Sequence, residues 1–320
     1  MPAWYQGAAW LWLLWPLSLL FGLVSGLRRR LFRHGLKRVY RAPVPVIVVG
    51  NLTVGGNGKT PLVIWLVEWL RSQGYTPGVI SRGYGGKSAQ YPLTLSDSTT
   101  AAQAGDEPVL IFKRTGCPVV VGPRRAEAAA RLASLGADII ISDDGLQHYA
   151  LARDIELVVV DGKRRFGNGH LLPMGPLREG TWRLESVDAV INNGGPCEPG
   201  EHLMTLAPGT LRPVSGEGNA PEPGTSVHAL AGIGHPPRFF TTLSEQGFIL
   251  DRQLALGDHQ AVTPAQLAGL ADAPLLITEK DAVKWPGGHE HCWYLPVDAR
   301  LPTEFEHLLL NRLKELNHGD

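Results

Sequence analysis

The residues with the most chemistry in this chain are G-N-L-T-V-G-G-N-G-K-T, Gly50 to Thr60. Phosphate-binding loops follow G-x-x-x-x-G-K-[ST], because small residues let successive N–H groups turn inward onto a phosphate. Gly58, Lys59 and Thr60 supply the second half of that pattern, and Thr53 stands where its first glycine would be. Gly55 and Gly56 still provide backbone freedom inside the loop. The expected cradle is therefore Thr53, Val54, Gly55, Gly56, Asn57 and Gly58. Lys59 would contact the outer phosphates and the Thr60 hydroxyl would ligate Mg²⁺. A nucleoside triphosphate with Mg²⁺ is the ligand this spacing calls for.

Phosphoryl transfer also needs a carboxylate near the metal and a group that deprotonates or orients the acceptor. Asp143-Asp144-Gly145 closes the apolar run DIIIS, which places one of two acids near the metal. Gly105-Asp106-Glu107-Pro108 opens a helical stretch, where Asp106 could cap the helix, act in catalysis, or do both. Asp161, at the end of another apolar run, is a weaker candidate. His148 and His259 are the histidines in suggestive settings; His170, His228 and His235 read as structural.

The elements that must position these groups alternate along the chain. Val44–Gly50 reads as a buried strand that feeds the loop, and Lys59–Gln73 as the helix leaving it, stopped by Gly74. Further strands are expected at Gly78–Ser81, Pro118–Gly122, Asp138–Ser142, Ile155–Asp161 and Asp188–Asn192. Arg124–Leu135 reads as a helix and Tyr91–Leu95 as an edge hairpin. Continuous apolar strands alternating with helices predict an α/β fold, a mostly parallel sheet covered on both faces as in P-loop NTPases. Ligands of such sheets bind at the carboxyl ends of the strands.

Residues 193–225, rich in Gly, Pro and Glu, carry the boundary, with 206–225 as the linker. The expected division is 1–41 (apolar helix and basic collar), 42–205 (P-loop domain) and 226–320, a smaller α/β domain. In the last, strands are expected at Val227–Ile233, Pro274–Thr278 and Cys292–Asp298, and helices at Pro236–Gln246 and Pro302–Leu316.

Lys plus Arg equals Asp plus Glu, so the formal net charge is zero, which argues against a general nucleic-acid binder. Three scattered cysteines suggest neither a disulfide framework nor a zinc site. The charge is unevenly placed. No charged side chain occurs from Met1 to Leu27, and Arg28, Arg29, Arg30, Arg33, Lys37, Arg38 and Arg41 follow at once. A secretory signal has the opposite order. An uncleaved membrane segment with a basic, cytoplasmic flank fits, although Pro16 and four tryptophans leave spanning and interfacial placement both open.

The ordered set GNLTVGGNGKT, SRGYGG (Ser81–Gly86), GDEP, DDGLQH (Asp143–His148), PMGPLRE (Pro173–Glu179), GDHQ (Gly257–Gln260) and TEKDAVK (Thr278–Lys284) resembles the tetraacyldisaccharide 4′-kinase family over nearly the whole chain. The family's loop also carries threonine before V-G-G. The resemblance implies ATP- and Mg²⁺-dependent phosphorylation of the 4′-hydroxyl of a tetraacylated disaccharide 1-phosphate, forming lipid IVA at the cytoplasmic face of the bacterial inner membrane. It implies a lipid disaccharide and a membrane surface as partners, with no nucleic acid and no obligate protein partner. It makes Asp106 the general base, supported by His259. Glu107, Asp143 and Asp144 would organise metal and phosphates, and Gln147, His148 and Arg178 would line the cleft. The competing reading is a membrane-bound ATPase switch without a small-molecule acceptor. Switches of the partition and septum-placement kind carry a lysine early in the loop, where this chain has Val54.

Overall fold

A computed structural model describes residues 3–215, 219–258, 260–287 and 291–317. The strands are β1 (Val46–Gly50), β2 (Pro77–Ser81), β3 (Leu93–Thr94), β4 (Val119–Val121), β5 (Ile139–Asp143), β6 (Ile155–Asp161), β7 (Ala189–Asn193), β8 (Glu201–Pro208), β9 (Arg212–Ser215), β10 (Ser226–Ala231), β11 (Ile249–Ala255), β12 (Leu275–Thr278), β13 (Cys292–Leu295) and β14 (Val297–Arg300). The helices are α1 (Trp15–Arg33), α2 (Lys59–Ser72), α3 (Ala101–Ala104), α4 (Asp106–Thr115), α5 (Arg125–Ser134), α6 (Pro236–Glu245), α7 (Pro264–Ala268), α8 (Glu279–Ala282) and α9 (Thr303–Asn317).

Two sheets result. The larger runs β14-β8-β7-β6-β1-β5-β2-β4-β3, with parallel pairing throughout except at its edges, where β14 and β3 are antiparallel. Its central strands are buried along their whole length, as uninterrupted Val/Ile runs require. Helices α2, α4 and α9 cover one face and α5 the other. The smaller sheet, β11-β10-β12-β13-β9, is parallel except for β9.

The structure revises three expectations. The edge strand β3 does pair with β4, but α3 and α4 lie between them in sequence, so they form no hairpin. The run from Cys292 splits at Pro296, which has no N–H to continue a ladder. Its first half joins the small sheet and its second half, β14, returns to the large one. Residues 206–225 likewise contain the end of β8 and all of β9 rather than a free linker. The chain thus crosses between sheets twice, side by side, and Gly209 N–H donates to Pro296 C=O at 2.9 Å where the crossings meet.

The tail helix α9 belongs to the large sheet. Phe305, Leu309 and Leu313 are buried in the same cluster as β1, β6 and α2, with the Phe305 and Trp65 rings 5.7 Å apart. The second unit therefore ends near Leu295, not at residue 320.

Pro16 does not interrupt a helix; it sits in the first turn of α1, where its missing N–H has no partner to lose. The preceding Ala9–Leu14 is a 3₁₀ segment. Helix α1 lies lengthwise on the large-sheet unit. Ser18 Oγ donates to Leu171 C=O at 2.9 Å and accepts from Met174 N–H at 2.9 Å. Near its two ends, Trp12 meets His170 and Phe32 meets Tyr149. Trp10, Leu13, Leu17, Leu20, Leu23 and Leu27 face solvent.

Because Leu309 is fully buried against α2, Leu309→Ala should destabilise the large-sheet unit by about 2–5 kcal/mol in denaturant unfolding. A loss confined to a separate C-terminal transition would contradict this assignment.

Candidate active site

The site is assembled by strand register. β1 pairs in parallel with β5, with Val49 beside Asp143, so the phosphate loop and the Asp143-Asp144 turn leave the sheet edge together. Lys59, the first residue of α2, reaches across to Asp144 Oδ1 at 3.3 Å. Asp144 has φ +48, a left-handed conformation that few non-glycine residues adopt. Arg178 contacts the same oxygen at 3.2 Å. Burial pushes the Asp144 carboxyl up, but Lys59 and Arg178 outweigh it and hold it at about 2.

The loop is braced so that its carbonyls point outward. Gly55 C=O accepts from Asn51 Nδ2 at 3.4 Å, Gly56 C=O from Arg164, and Asn57 C=O from Asn193 Nδ2 at 2.9 Å. Arg164 is in turn paired with Asp161 at 2.9 Å. Thr53 owes its place to the same bracing: its buried hydroxyl accepts from Asn57 Nδ2 at 2.8 Å across the loop. Val54 N–H is committed to Pro176 C=O at 2.9 Å, so the Val54 amide is not part of the cradle. Gly58 has φ +90, and a Cβ there would lie 2.1 Å from Asn193 Nδ2.

A cleft of about 220 Å³ opens between the sheets, lined by Gly56 to Thr60 and Glu107 from one side and by Gly234, Phe239 and Lys280 from the other. Gln147, His148 and Arg178 do not line it. Arg178 instead meets Asp144, and Gln147 lies toward α1: its Nε2 donates to Asn51 C=O and to Glu179, and Glu179 also accepts from Tyr149, which meets Phe32. Burial and the charges of Arg125 and Arg153 push His148 down to about 4, so its imidazole is neutral at physiological pH.

The SRGYGG motif finds its reason at the start of α4. A Cβ at Gly86 would lie 2.5 Å from Gly105 N, so only glycine lets these backbones meet. That contact sets Gly105 (φ +89) and the buried Asp106 after it. Asp106 is the first helical residue rather than the cap, and its Oδ1 accepts from Glu107 N–H at 2.9 Å. His259 lies outside the described residues, but its neighbour Asp258 is joined to Glu107 through Lys280.

The donors suit Mg²⁺. Asp143 Oδ2 accepts from Ser81 Oγ at 3.2 Å, whereas the buried Oδ1 has no hydrogen-bond partner, which is costly unless a cation completes it. Among the described residues no group of three or more carboxylate, imidazole or thiolate side chains is placed to hold a metal ion by itself. Mg²⁺ asks for no such cage, since it keeps waters and takes substrate phosphates beside one or two carboxylates. Asp143, Thr60 and Glu107 are the candidate donors, while Asp144 is held by Lys59 and Arg178. Asn51, Arg164, Asn193 and Lys280 were not foreseen as site residues. Of these, Asn51 lay inside GNLTVGGNGKT and Lys280 inside TEKDAVK, whereas Arg164 and Asn193 carried no signal.

The fold and loop define a P-loop nucleoside-triphosphate enzyme. The model of the tetraacyldisaccharide-1-P 4′-kinase family (LpxK) matches residues 10–314. Curated tetraacyldisaccharide 4′-kinases of Aeromonas hydrophila and Tolumonas auensis are each 57% identical, covering 97% and 99% of this chain and 94% and 98% of their own lengths. LpxK from Aquifex aeolicus, solved in complex with ATP, superposes with a TM-score of 0.76 at 28% identity, over 93% of this chain and 98% of that one. The chain belongs to the tetraacyldisaccharide-1-P 4′-kinase family, and so to the ATP- and Mg²⁺-dependent transferases of lipid A biosynthesis.

Burial and the nearby Glu107 charge push Asp143 from 3.8 up to about 7 in the metal-free chain. A carboxyl raised on folding favours its protonated form. Its penalty on the folded state is therefore absent below about pH 4, grows as pH rises, and is complete above about pH 7. In EDTA, Asp143→Asn should melt higher than wild type at about pH 8, with the gain vanishing toward about pH 4. Equal midpoints at the higher pH would refute the assignment.

Proposed function

We propose that this chain transfers the γ-phosphoryl group of ATP to the 4′-hydroxyl of tetraacyldisaccharide 1-phosphate, forming lipid IVA at the cytoplasmic face of the inner membrane. The observation that carries the reading is the juxtaposition of a braced phosphate loop, Lys59 on Asp144, and the buried Asp106 with the half-buried Glu107 beside one cleft. A nucleotide switch has no need of a buried acid at the acceptor side.

In this reading the outward-tied carbonyls leave the amides of Gly55 to Gly58 free to receive the phosphates. Lys59 follows the charge as it moves to the leaving oxygen. Asp106 accepts the proton of the sugar hydroxyl as the bond to phosphorus forms. His259, in the GDHQ segment, assists it. Asp143, Thr60 and Glu107 would hold Mg²⁺, which supplies charge neutralisation on the phosphate oxygens. Arg178 joins Lys59 in keeping Asp144 ionised, and Gln147 ties the loop after Asp144 to the α1 side. The competing ATPase switch finds no supporting contact.

The acceptor is an amphiphile, and α1 suits a surface that handles one. Its apolar side is exposed while its other side is bonded along its length to the kinase unit, so the reading is a helix lying in the interface rather than crossing the bilayer. Its C-terminal arginines would meet anionic headgroups.

Three experiments test the reading. Asp106→Asn should leave ATP affinity nearly intact and lower turnover about a hundred- to ten-thousandfold. Loss of ATP affinity in step with turnover would make Asp106 a nucleotide or metal residue instead. Lys59→Ala should cut transfer by roughly a hundredfold or more. For the membrane, deleting residues 1–27 should release much of the protein from vesicles at high salt. Continued pelleting would mean another surface is the anchor.

A further inference from the structure

The acids at the start of α4 are engaged from the second unit. Lys280 Nζ, on α8, donates to Glu107 Oε1 at 3.1 Å and to Asp258 Oδ1 at 3.0 Å, and lies 3.9 Å from Asp106 Oδ2. One turn on, Lys284 Nζ lies 3.8 Å from the same Asp106 oxygen and 3.1 Å from Asp281 Oδ1. Asp281 is itself pinned, its Oδ2 accepting from Gly232 N–H at 2.9 Å and Thr278 Oγ at 2.6 Å. At the far end of α4, Arg114 pairs with Glu279 at 2.8 Å and with Asp298. Helix α4 thus offers acids at its start and a base at its end, and adjacent residues of α8 carry the complements.

Lys280 is the pivot of this arrangement. Its side chain is 13% exposed, so an ammonium has been drawn largely out of water and set among three carboxylates. Burial pushes its pKa down, but Glu107, Asp106 and Asp258 more than reverse that and keep it charged. It also lines the same cleft as Lys59 and Thr60.

We propose that Lys280 is a positioning residue for phosphoryl transfer, holding the Asp106–Glu107 pair from the second domain and competing with the divalent cation for Glu107. This rests on the roles given above to those two acids. An ammonium and a divalent ion repel each other, so each weakens the other's hold on a shared carboxylate. Metal affinity and the tie between the domains are then linked, and linkage is reciprocal.

The test compares full-length wild type with Lys280→Met and Lys280→Arg, titrating Mg²⁺ into a non-hydrolysable ATP analogue complex by calorimetry. In Lys280→Met the half-saturating Mg²⁺ concentration should fall at least roughly threefold, because the competitor is gone. Turnover should fall about tenfold or more, with KM for ATP changed less than about threefold. Metal-free hydrogen exchange of α4 and α8 should speed up. Lys280→Arg keeps the charge and should restore the Mg²⁺ dependence to within about twofold. Weaker analogue binding with a raised Mg²⁺ requirement would overturn the proposal and make Lys280 a phosphate ligand. An unchanged Mg²⁺ requirement would overturn it as well. If Lys280→Met melts too low to assay, Lys280→Gln is read by the same criteria. Should Asp106→Asn prove fully active, the turnover arm loses its meaning while the Mg²⁺ shift still decides the competition, so the two failures are separable.

Discussion

The salt bridge between Lys59 and Asp144 is the contact on which the rest of the site turns. It exists because β1 and β5 are parallel neighbours in a register that brings Val49 beside Asp143. Once that register is set, the loop after β1 and the turn after β5 emerge at the same sheet edge. A cationic side chain on the first helical turn then meets a carboxylate held in a left-handed conformation. Arg178 adds a second cation, and the Leu52–Val54 backbone pairs with Pro176–Arg178 to bring it there. Buried charges of both signs are tolerated because each has a partner. Asp143, beside the phosphate loop, keeps one buried carboxylate oxygen without a hydrogen-bond partner, as suits an atom whose partner is a metal.

The two units are joined by backbone that is both covalent and hydrogen-bonded. Outgoing β8 and returning β14 pair over Thr205–Pro208 and Val297–Arg300. A double crossing of this kind resists splaying yet can bend where the ladder ends, at Gly209 and Pro296. Beyond it polar side chains join the units: Arg114 with Glu279, Lys280 with Glu107, and Arg238 with Asn193 at 3.0 Å. Ionic contacts of this sort can be exchanged for contacts to a charged ligand at modest cost, whereas a dry apolar interface could not. The architecture therefore suits a nucleotide that arrives, is enclosed, and leaves.

Much was legible in the sequence alone. The GKT signature, the apolar run before it and the Asp-Asp-Gly turn are local patterns, and local patterns report local structure. The limits of the strands from β1 to β7 and of α2 and α5 fell within a residue or two, because Val/Ile runs bounded by glycine are distinctive, whereas β8, in the stretch read as boundary, was missed. The uncharged stretch to Leu27 followed by arginines marked the N-terminal helix for the same reason. What the chain could not show was pairing between distant segments. That Cys292–Asp298 is two strands in two sheets depends on where Pro296 meets Gly209. That α9 seals α2 depends on Trp65 meeting Phe305. Arg164 and Asn193 read as ordinary polar residues until the ends of β6 and β7 are set against the loop. Spacing along a chain determines which groups can form a helix, a turn or a cradle. Which carboxylate meets which cation is decided only when the sheet order brings their strand ends together, because an ion pair depends on distance in space and not on separation in sequence.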